Sequence, residues 1–198
     1  MTTPDGESKF AYINPPTEAE RRQWRIEAEE LQRLMEGGEF YEPLVFFVDY
    51  PGVDDPSLQE LSEVDVPEEA PIVGVEVDGE SCAFVLEQMT DPTRHIANLT
   101  INKVPISVSY CDLADCARVL TNQPKDSRGP NQTLGLSVGG LDINHQLVYL
   151  LRGERYGQES KGIPLADYPF ERMRFDEWIQ KHPDTLVYIA PKVTDNDS

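Results

Sequence analysis

Val104-Pro105-Ile106-Ser107-Val108-Ser109-Tyr110-Cys111 runs directly into Asp112-Leu113-Ala114-Asp115-Cys116-Ala117-Arg118-Val119-Leu120. In the first half, Val104, Ile106, Val108 and Tyr110 fall on one side and Ser107 and Ser109 on the other. That two-residue period predicts a half-buried strand. The strand delivers a cysteine onto a turn that carries two acids, a second cysteine and an arginine. A thiol at the end of a rigid strand, beside charged groups, is a setting for reactive or metal-binding cysteines. A merely packed cysteine suits the same position, so the stretch proposes a site and names no reaction.

The flanking sequence has the same character, short apolar runs separated by turn residues. Residues 72–77 and 81–86 flank Asp78-Gly79, a strong hairpin signal because a two-residue loop needs positive φ at both positions. Cys82 lies inside the second of these runs and reads as a small core residue. Residues 146–151 and 155–159 flank Arg152-Gly153-Glu154 as a second hairpin. Further strands are expected at 43–49, at the glycine-spaced 133–141 and at 185–189. Residues 93–98 lead into the central strand. The acidic, proline-containing segment 51–70 reads as a solvated loop with a short helical turn at 57–62, and 122–132 as another loop.

Two helices are expected at the margins. Thr17 and Glu20 form a capping box, Trp24, Ala28, Leu31 and Met35 make one apolar stripe, and Gly37-Gly38 ends it. Residues 176–181 form a short helix stopped at His182-Pro183, with His182 as a cation at its C-terminal end. The expected fold class is therefore mainly β (α+β): antiparallel strands and hairpins in a compact β domain, with an N-terminal amphipathic helix and a short C-terminal helix. The expected organisation is a flexible arm at 1–15, the helix at 16–38, one β-rich domain at 39–191 and a flexible tail at 192–198.

Composition narrows the partners. Against 17 Lys+Arg stand 36 Asp+Glu, a net charge of −19 in 198 residues. Such a field repels nucleic acid and anionic membranes, so a nucleic-acid partner is not expected. No run of roughly 18 apolar residues exists, so membrane insertion is not expected either. The first residues lack the basic and apolar regions of a signal peptide, which makes the cytoplasm the default location. Three cysteines, an odd number, do not make a disulfide framework. The cofactor stays unknown, and the partner, small molecule or protein, is not named by the sequence.

Several ordered motifs together carry a family resemblance. They are 71–80 (Pro71 to Glu80), His95 with Asn98, Val104-Pro105 through Tyr110-Cys111, the 134–140 glycine strand, and Trp178 followed by His182-Pro183-Asp184-Thr185. Over about residues 71–189 the chain resembles the bacterial domain-of-unknown-function family 3179. Residues 110–119 and 164–171 look like a planctomycete-type branch of it. The resemblance implies a site rather than an activity, because the family's function is not established. Typical members carry Tyr-Cys-Pro-Leu-Cys, some with selenocysteine within the motif, which implies redox chemistry. Cys111 matches the first family cysteine; the second falls on Ala114, and Cys116 lies two positions later.

The residues leave three chemistries open. On a helix, positions 111 and 116 point about 140° apart, so the two cysteines can bond only if a loop separates them and brings their α-carbons close. Asp112 and Asp115 would raise the thiol pKa and Arg118 would lower it. A Cys₂His₂ metal set from Cys111, Cys116, His95 and His145 is formally available, without zinc-finger spacing. His95, beside Arg94 and Asn98, suits a hydrogen-bonded structural role equally, and His145 suits a turn. Gly135-Leu136-Ser137-Val138-Gly139 fits a nucleophile-elbow pattern, but no helical pattern follows it. Arg155, Gln158 and Glu159 on the second hairpin match a family stretch and suit either a face toward the cysteine strand or an ordinary exposed hairpin. The first reading is a binding or accessory domain with a pocket around the Tyr110-Cys111 strand end, its binding residues His95, Asn98, Tyr110, Arg118 and Gln158. The alternative is a thiol-dependent redox protein with Cys111 attacking and Cys116 resolving, and the third is a Cys/His metal-binding module. Whether the protein is an enzyme stays open.

Overall fold

The computed structural model describes Arg22 and residues 44–122, 132–142 and 145–190. The arm, the amphipathic helix, most of the 122–132 loop and the tail lie outside the described residues. Strands run as β1 (Leu44–Pro51), β2 (Val53–Asp54), β3 (Leu58–Glu60), β4 (Pro71–Val77) and β5 (Glu80–Val85). β6 (Ile96–Ile101), β7 (Val104–Cys111) and β8 (Cys116–Asn122) follow, then β9 (Ser137–Asp142), β10 (Leu147–Leu151) and β11 (Glu154–Gly157). β12 (Leu165–Asp167), β13 (Glu171–Arg174), the helix α1 (Phe175–Lys181) and β14 (Leu186–Tyr188) complete the described chain.

The alternation in β7 separates one core from another rather than core from water. β7 lies in the middle of the sheet β12-β8-β7-β6-β2. Its Ile106, Val108 and Tyr110 pack with Leu99 and Ile101 of β6 against Val73, Val75, Cys82 and Phe84 of the sheet β13-β4-β5-β14-β3. Its other face carries Cys111, with Ile96 and Leu120 beside it, against Val138, Leu147, Tyr149 and Leu151 of the sheet β1-β9-β10-β11. Ser107 and Ser109 therefore point into a second core and are buried, which corrects the half-buried reading. Their hydroxyls are satisfied there. Ser107 donates to Asn98 Oδ1, and Ser109 bonds the carbonyl of Arg118 at 3.0 Å and the Tyr149 hydroxyl at 2.7 Å.

Three tight turns set the register. Asp78-Gly79, Asn102-Lys103 and Arg152-Gly153 all have positive φ at both positions and join directly paired strand ends. The first and third carry the glycine that this geometry favours. Asn102-Lys103 does not, and β6 with its hairpin to β7 is legible only in the structure. The expectation of antiparallel strands alone is also corrected. β14 runs parallel to β5 and β2 runs parallel to β6, so these two sheets are mixed. In place of the helical turn at 57–62, β3 pairs with β14 and a single 3-10 turn follows at Leu61–Glu63. The glycine strand begins at Ser137, three residues later than the point where Leu134 is already buried.

The outer face of the second sheet is covered by α1. Phe175 and Trp178 bury against Ile72, Ala83, Val85 and Val187. Asp176 and Glu177 occupy the first turn, where the helix dipole favours acids. His182 closes the helix with its backbone N–H on the Trp178 carbonyl, and its ring stacks on Trp178 at 3.9 Å. The Trp178 indole N–H donates to Thr185 Oγ1 at 2.9 Å. Among the described residues no helix is long and apolar enough to cross a membrane.

Gly74 is the point where helix and sheet come closest. A Cβ there would lie 2.4–2.6 Å from the ring atoms of Trp178. Trp178 is buried and hydrogen-bonded, so it has little freedom to retreat. Gly74→Ala is expected to lower unfolding free energy by about 1–3 kcal/mol, the usual range for overpacking. Urea denaturation checks it; an unchanged midpoint would show that the helix shifts freely on the sheet.

Candidate functional site

The β7–β8 hairpin is closed by Asp112-Leu113-Ala114-Asp115, with Asp115 at φ +47. Its last pair is Cys111 opposite Cys116. The condition posed by the sequence is met, since a loop and not a helix separates the two cysteines. Directly opposed residues share one face of a sheet, and here that face looks toward β10. Both thiols are free. Cys111 is fully buried and donates to the carbonyl of His145 at 3.4 Å. Cys116 is half-buried and donates to Gln158 Oε1 at 2.8 Å.

Gln158 is a clamp between strands. Its Oε1 also accepts from the Leu147 backbone N–H at 3.2 Å, and its Nε2 donates to the Cys116 carbonyl at 3.2 Å. Arg118 adds a second clamp from the same face of β8. Its Nε donates to Asp167 Oδ1 at 2.7 Å, and its Nη1 donates to the carbonyls of Gln158 and Ser160 at 2.7 and 2.9 Å. The Arg118 side chain is only 13% exposed, so its charge is held by partners rather than by water. Cys116, Ala117, Arg118, Gln158, Glu159, Lys161 and Asp167 together line an open pocket of about 250 Å³.

Electrostatics settle the protonation that the sequence left open. Burial pushes the Cys111 thiol up, with Asp112 and Asp142 adding to it and the backbone N–H groups of Ala114 and Leu113 opposing. Burial, then Cys111, Glu159 and Asp115, push Cys116 up to about 11. The opposing cation is Arg172 of β13, not Arg118. Both thiols are therefore protonated hydrogen-bond donors at neutral pH.

The remaining residues singled out from the sequence lie elsewhere. Tyr110 and Arg118 sit on opposite faces of the hairpin. The Tyr110 hydroxyl donates to Asp115 Oδ1 at 2.9 Å, and Arg172 pairs with the same carboxylate while its guanidinium lies 5.7 Å from the Tyr110 ring centre. Burial and Asp115 push the Tyr110 phenol up to about 12. His95 shares a 2.7 Å hydrogen bond between Nδ1 and the Met89 carbonyl, which places the proton on Nδ1. Its Nε2 lies 3.8 Å from Asp112, and burial lowers its pKa. Asn98 pins the segment before β9, donating to the Leu136 carbonyl at 2.9 Å and accepting its N–H at 3.2 Å. His145 is exposed, and its carbonyl rather than its imidazole is what meets Cys111. Among the described residues no group of three or more His, Cys, Asp and Glu is arranged to hold a metal ion. Ser137 sits within β9, paired with Pro51 and Leu150, and not on an elbow.

Sequence reasoning found Cys116, Arg118 and Gln158, which the fold brings together, with Cys111 opposite Cys116. It missed Lys161 and Asp167, because only the pairing of β12 with β8 carries Asp167 to Arg118. It also missed Arg172, whose charge acts on the Cys116 thiol.

A pH dependence follows from these shifts. The folded state keeps Cys116 protonated to about 11 and Cys82 to about 12, against 9.0 for an ordinary thiol. The unfolded chain releases those protons first, so it binds fewer protons and gains stability as pH rises. The stabilisation is complete below about pH 9 and is lost as pH climbs toward the folded values. The urea midpoint is expected to stay level to about pH 8.5 and to fall steadily above it. A midpoint that stays level to about pH 11 would contradict the burial of these thiols.

Residues 49–196 match the family described as protein of unknown function (DUF3179). No curated protein and no solved structure matches the chain. The match begins earlier than the resemblance at 71–189, and the added segment contains β2 and β3, which complete the edges of two sheets. It resolves no branch within the family. It covers well over half of the sequence, and the chain belongs to the DUF3179 family.

Proposed function

We propose that the protein is a binding domain for a small polar molecule, with its site in the pocket between β8 and the segment 158–167. The observation that carries this reading is the pre-built polar wall. Gln158 is buried and the Arg118 side chain is only 13% exposed, and each has hydrogen-bond partners that fix it before any ligand arrives. Polar groups held in place in this way bind at a low ordering penalty.

Charge defines the class of ligand. In a chain of net charge −19, the pocket is balanced, with Arg118 and Lys161 facing Glu159 and Asp167. Arg118 is committed to Asp167 and two carbonyls, and the exposed charges at the rim are Lys161, Glu159 and Asp167, the last of which already pairs with Arg118. A neutral or zwitterionic compound with hydrogen-bonding groups fits this balance. A polyanion such as nucleic acid meets the repulsion of the whole chain. Of the binding residues expected from the sequence, this reading keeps Arg118 and Gln158, adds Cys116, and leaves out His95, Asn98 and Tyr110.

Titration of the isotope-labelled, reduced protein with amino acids, hydroxy acids and polyols at millimolar concentration tests the reading. Amide shifts are expected to concentrate at Ala117, Glu159 and Lys161 for at least one compound class. Lys161→Glu, an exposed substitution that leaves the fold alone, is expected to weaken binding of a zwitterion several-fold. Shifts scattered over the surface, or none, would sink the proposal.

A further inference from the structure

The two cysteines bear on the same pocket in a second way. Residues directly opposed in an antiparallel pair have α-carbons about 4.5–5.5 Å apart. A disulfide accepts about 4.4–6.8 Å. Cys111 and Cys116 are such a pair, on one face, both free, so the register brings their α-carbons within the range that a disulfide accepts. Their access differs sharply. Cys111 is sealed, whereas Cys116 forms part of the pocket wall. We infer that Cys111 and Cys116 form a reversible cross-strand disulfide that switches the pocket, with Cys116 as the thiol that meets the oxidant and Cys111 as the resolver. This rests on the pocket reading above, and it reverses the roles that the sequence suggested.

The oxidant is a low-molecular-weight disulfide, which needs to bring only one sulfur to Cys116 at the pocket wall. In the first exchange the thiolate fraction of Cys116, small at neutral pH and growing as pH rises, attacks one sulfur of that disulfide and expels one thiol, which takes up the proton, leaving a mixed disulfide on Cys116. In the second, Cys111 Sγ gives up its proton, attacks Cys116 Sγ and expels the second thiol. The Cys111–Cys116 bond has formed, the two protein thiols are oxidised by two electrons, and the small disulfide is reduced to two thiols that carry away both protons. The bond closes a loop of only four residues, Asp112 to Asp115, where the gain from restricting the unfolded chain is smallest. It is a labile bond rather than a structural one.

The bond acts on the pocket through Gln158. A disulfide sulfur carries no proton, so the Cys116 Sγ donor to Gln158 Oε1 disappears. Gln158 Oε1 then keeps only the Leu147 N–H, and the amide loses one of its two ties to β8. Its carbonyl is one of the acceptors that hold Arg118, so the same residue links sulfur chemistry to the position of the guanidinium. Reduction restores the clamp.

Incubating the full chain with excess oxidised glutathione, then alkylating and mapping peptides by mass, tests the switch. Cys111 and Cys116 are expected to disappear together as one linked peptide pair, while fully buried Cys82 stays reduced. Dithiothreitol is expected to reverse it. Cys111→Ser is expected to stop at a glutathione adduct on Cys116, and Cys116→Ser to leave Cys111 unmodified. In wild type the Gln158 side-chain amide resonance is expected to move on oxidation and return on reduction. Two free thiols persisting while a guanidinium-unfolded control oxidises would overturn the inference, as would a lasting Cys116 adduct in wild type. Linked cysteines with an unmoved Gln158 amide would overturn the coupling to the pocket. None of these readouts uses a pocket ligand, so failure of the ligand titration and failure of the switch are separable.

Discussion

The central sheet is covered on both faces, and water reaches neither face of β7. Every polar group that β7 and its neighbours turn inward must therefore find a protein partner. Ser107 finds Asn98, Ser109 finds Tyr149, and Asn98 finds the backbone of Leu136. Further along the same layer Cys116 finds Gln158, and Arg118 finds Asp167 and two carbonyls. The functional site is the outer end of this polar seam. Where the seam runs out between β8 and the 158–167 segment, its last members border open space rather than each other. Structure and site are thus one network, and its inner half is scaffold.

That continuity explains why reactive-looking residues serve unlike roles. Tyr110, His95 and Cys111 are adjacent on the sheet, yet each points to a different environment. Tyr110 turns toward Asp115 and Arg172, His95 toward Met89 and Asp112, and Cys111 into the second core. Burial dominates all three, raising the phenol and the thiol and lowering the imidazole. Each is thereby held in its neutral form, the form a buried group adopts when no full counter-charge accompanies it. The pocket wall instead gathers Arg118, Lys161, Glu159 and Asp167.

Much of the fold was legible because local rules determined it. The Asp78-Gly79 and Arg152-Gly153 turns and the helix around Trp178 each follow from a few neighbouring residues. What the sequence withheld depends on pairing at a distance. β8 carries Cys116, Ala117 and Arg118, whose mixed polarity gives no strand signal, and it is held as a strand by β7 and β12 on either side. The serines of β7 looked solvent-facing because a period of two shows that the faces differ, not what covers them. For the same reason Arg118 and Gln158 were found as candidates, while Asp167 was not. The site's third side arrives from a three-residue strand that only the register reveals.

β14 enters the second sheet between β5 and β3, parallel to the first and antiparallel to the second. During synthesis on the ribosome the earlier strands emerge long before residues 186–188 exist to join them. Until then β3 has no partner in the finished sheet and β5 presents an open edge, beside a core already containing Val73, Val75 and Phe84. Closing the sheet is a late, long-range event, of the kind that slows folding and leaves sticky edges exposed meanwhile. The nascent chain thus passes through a stage with an unpaired sheet edge, and its last described strand is the element that closes it.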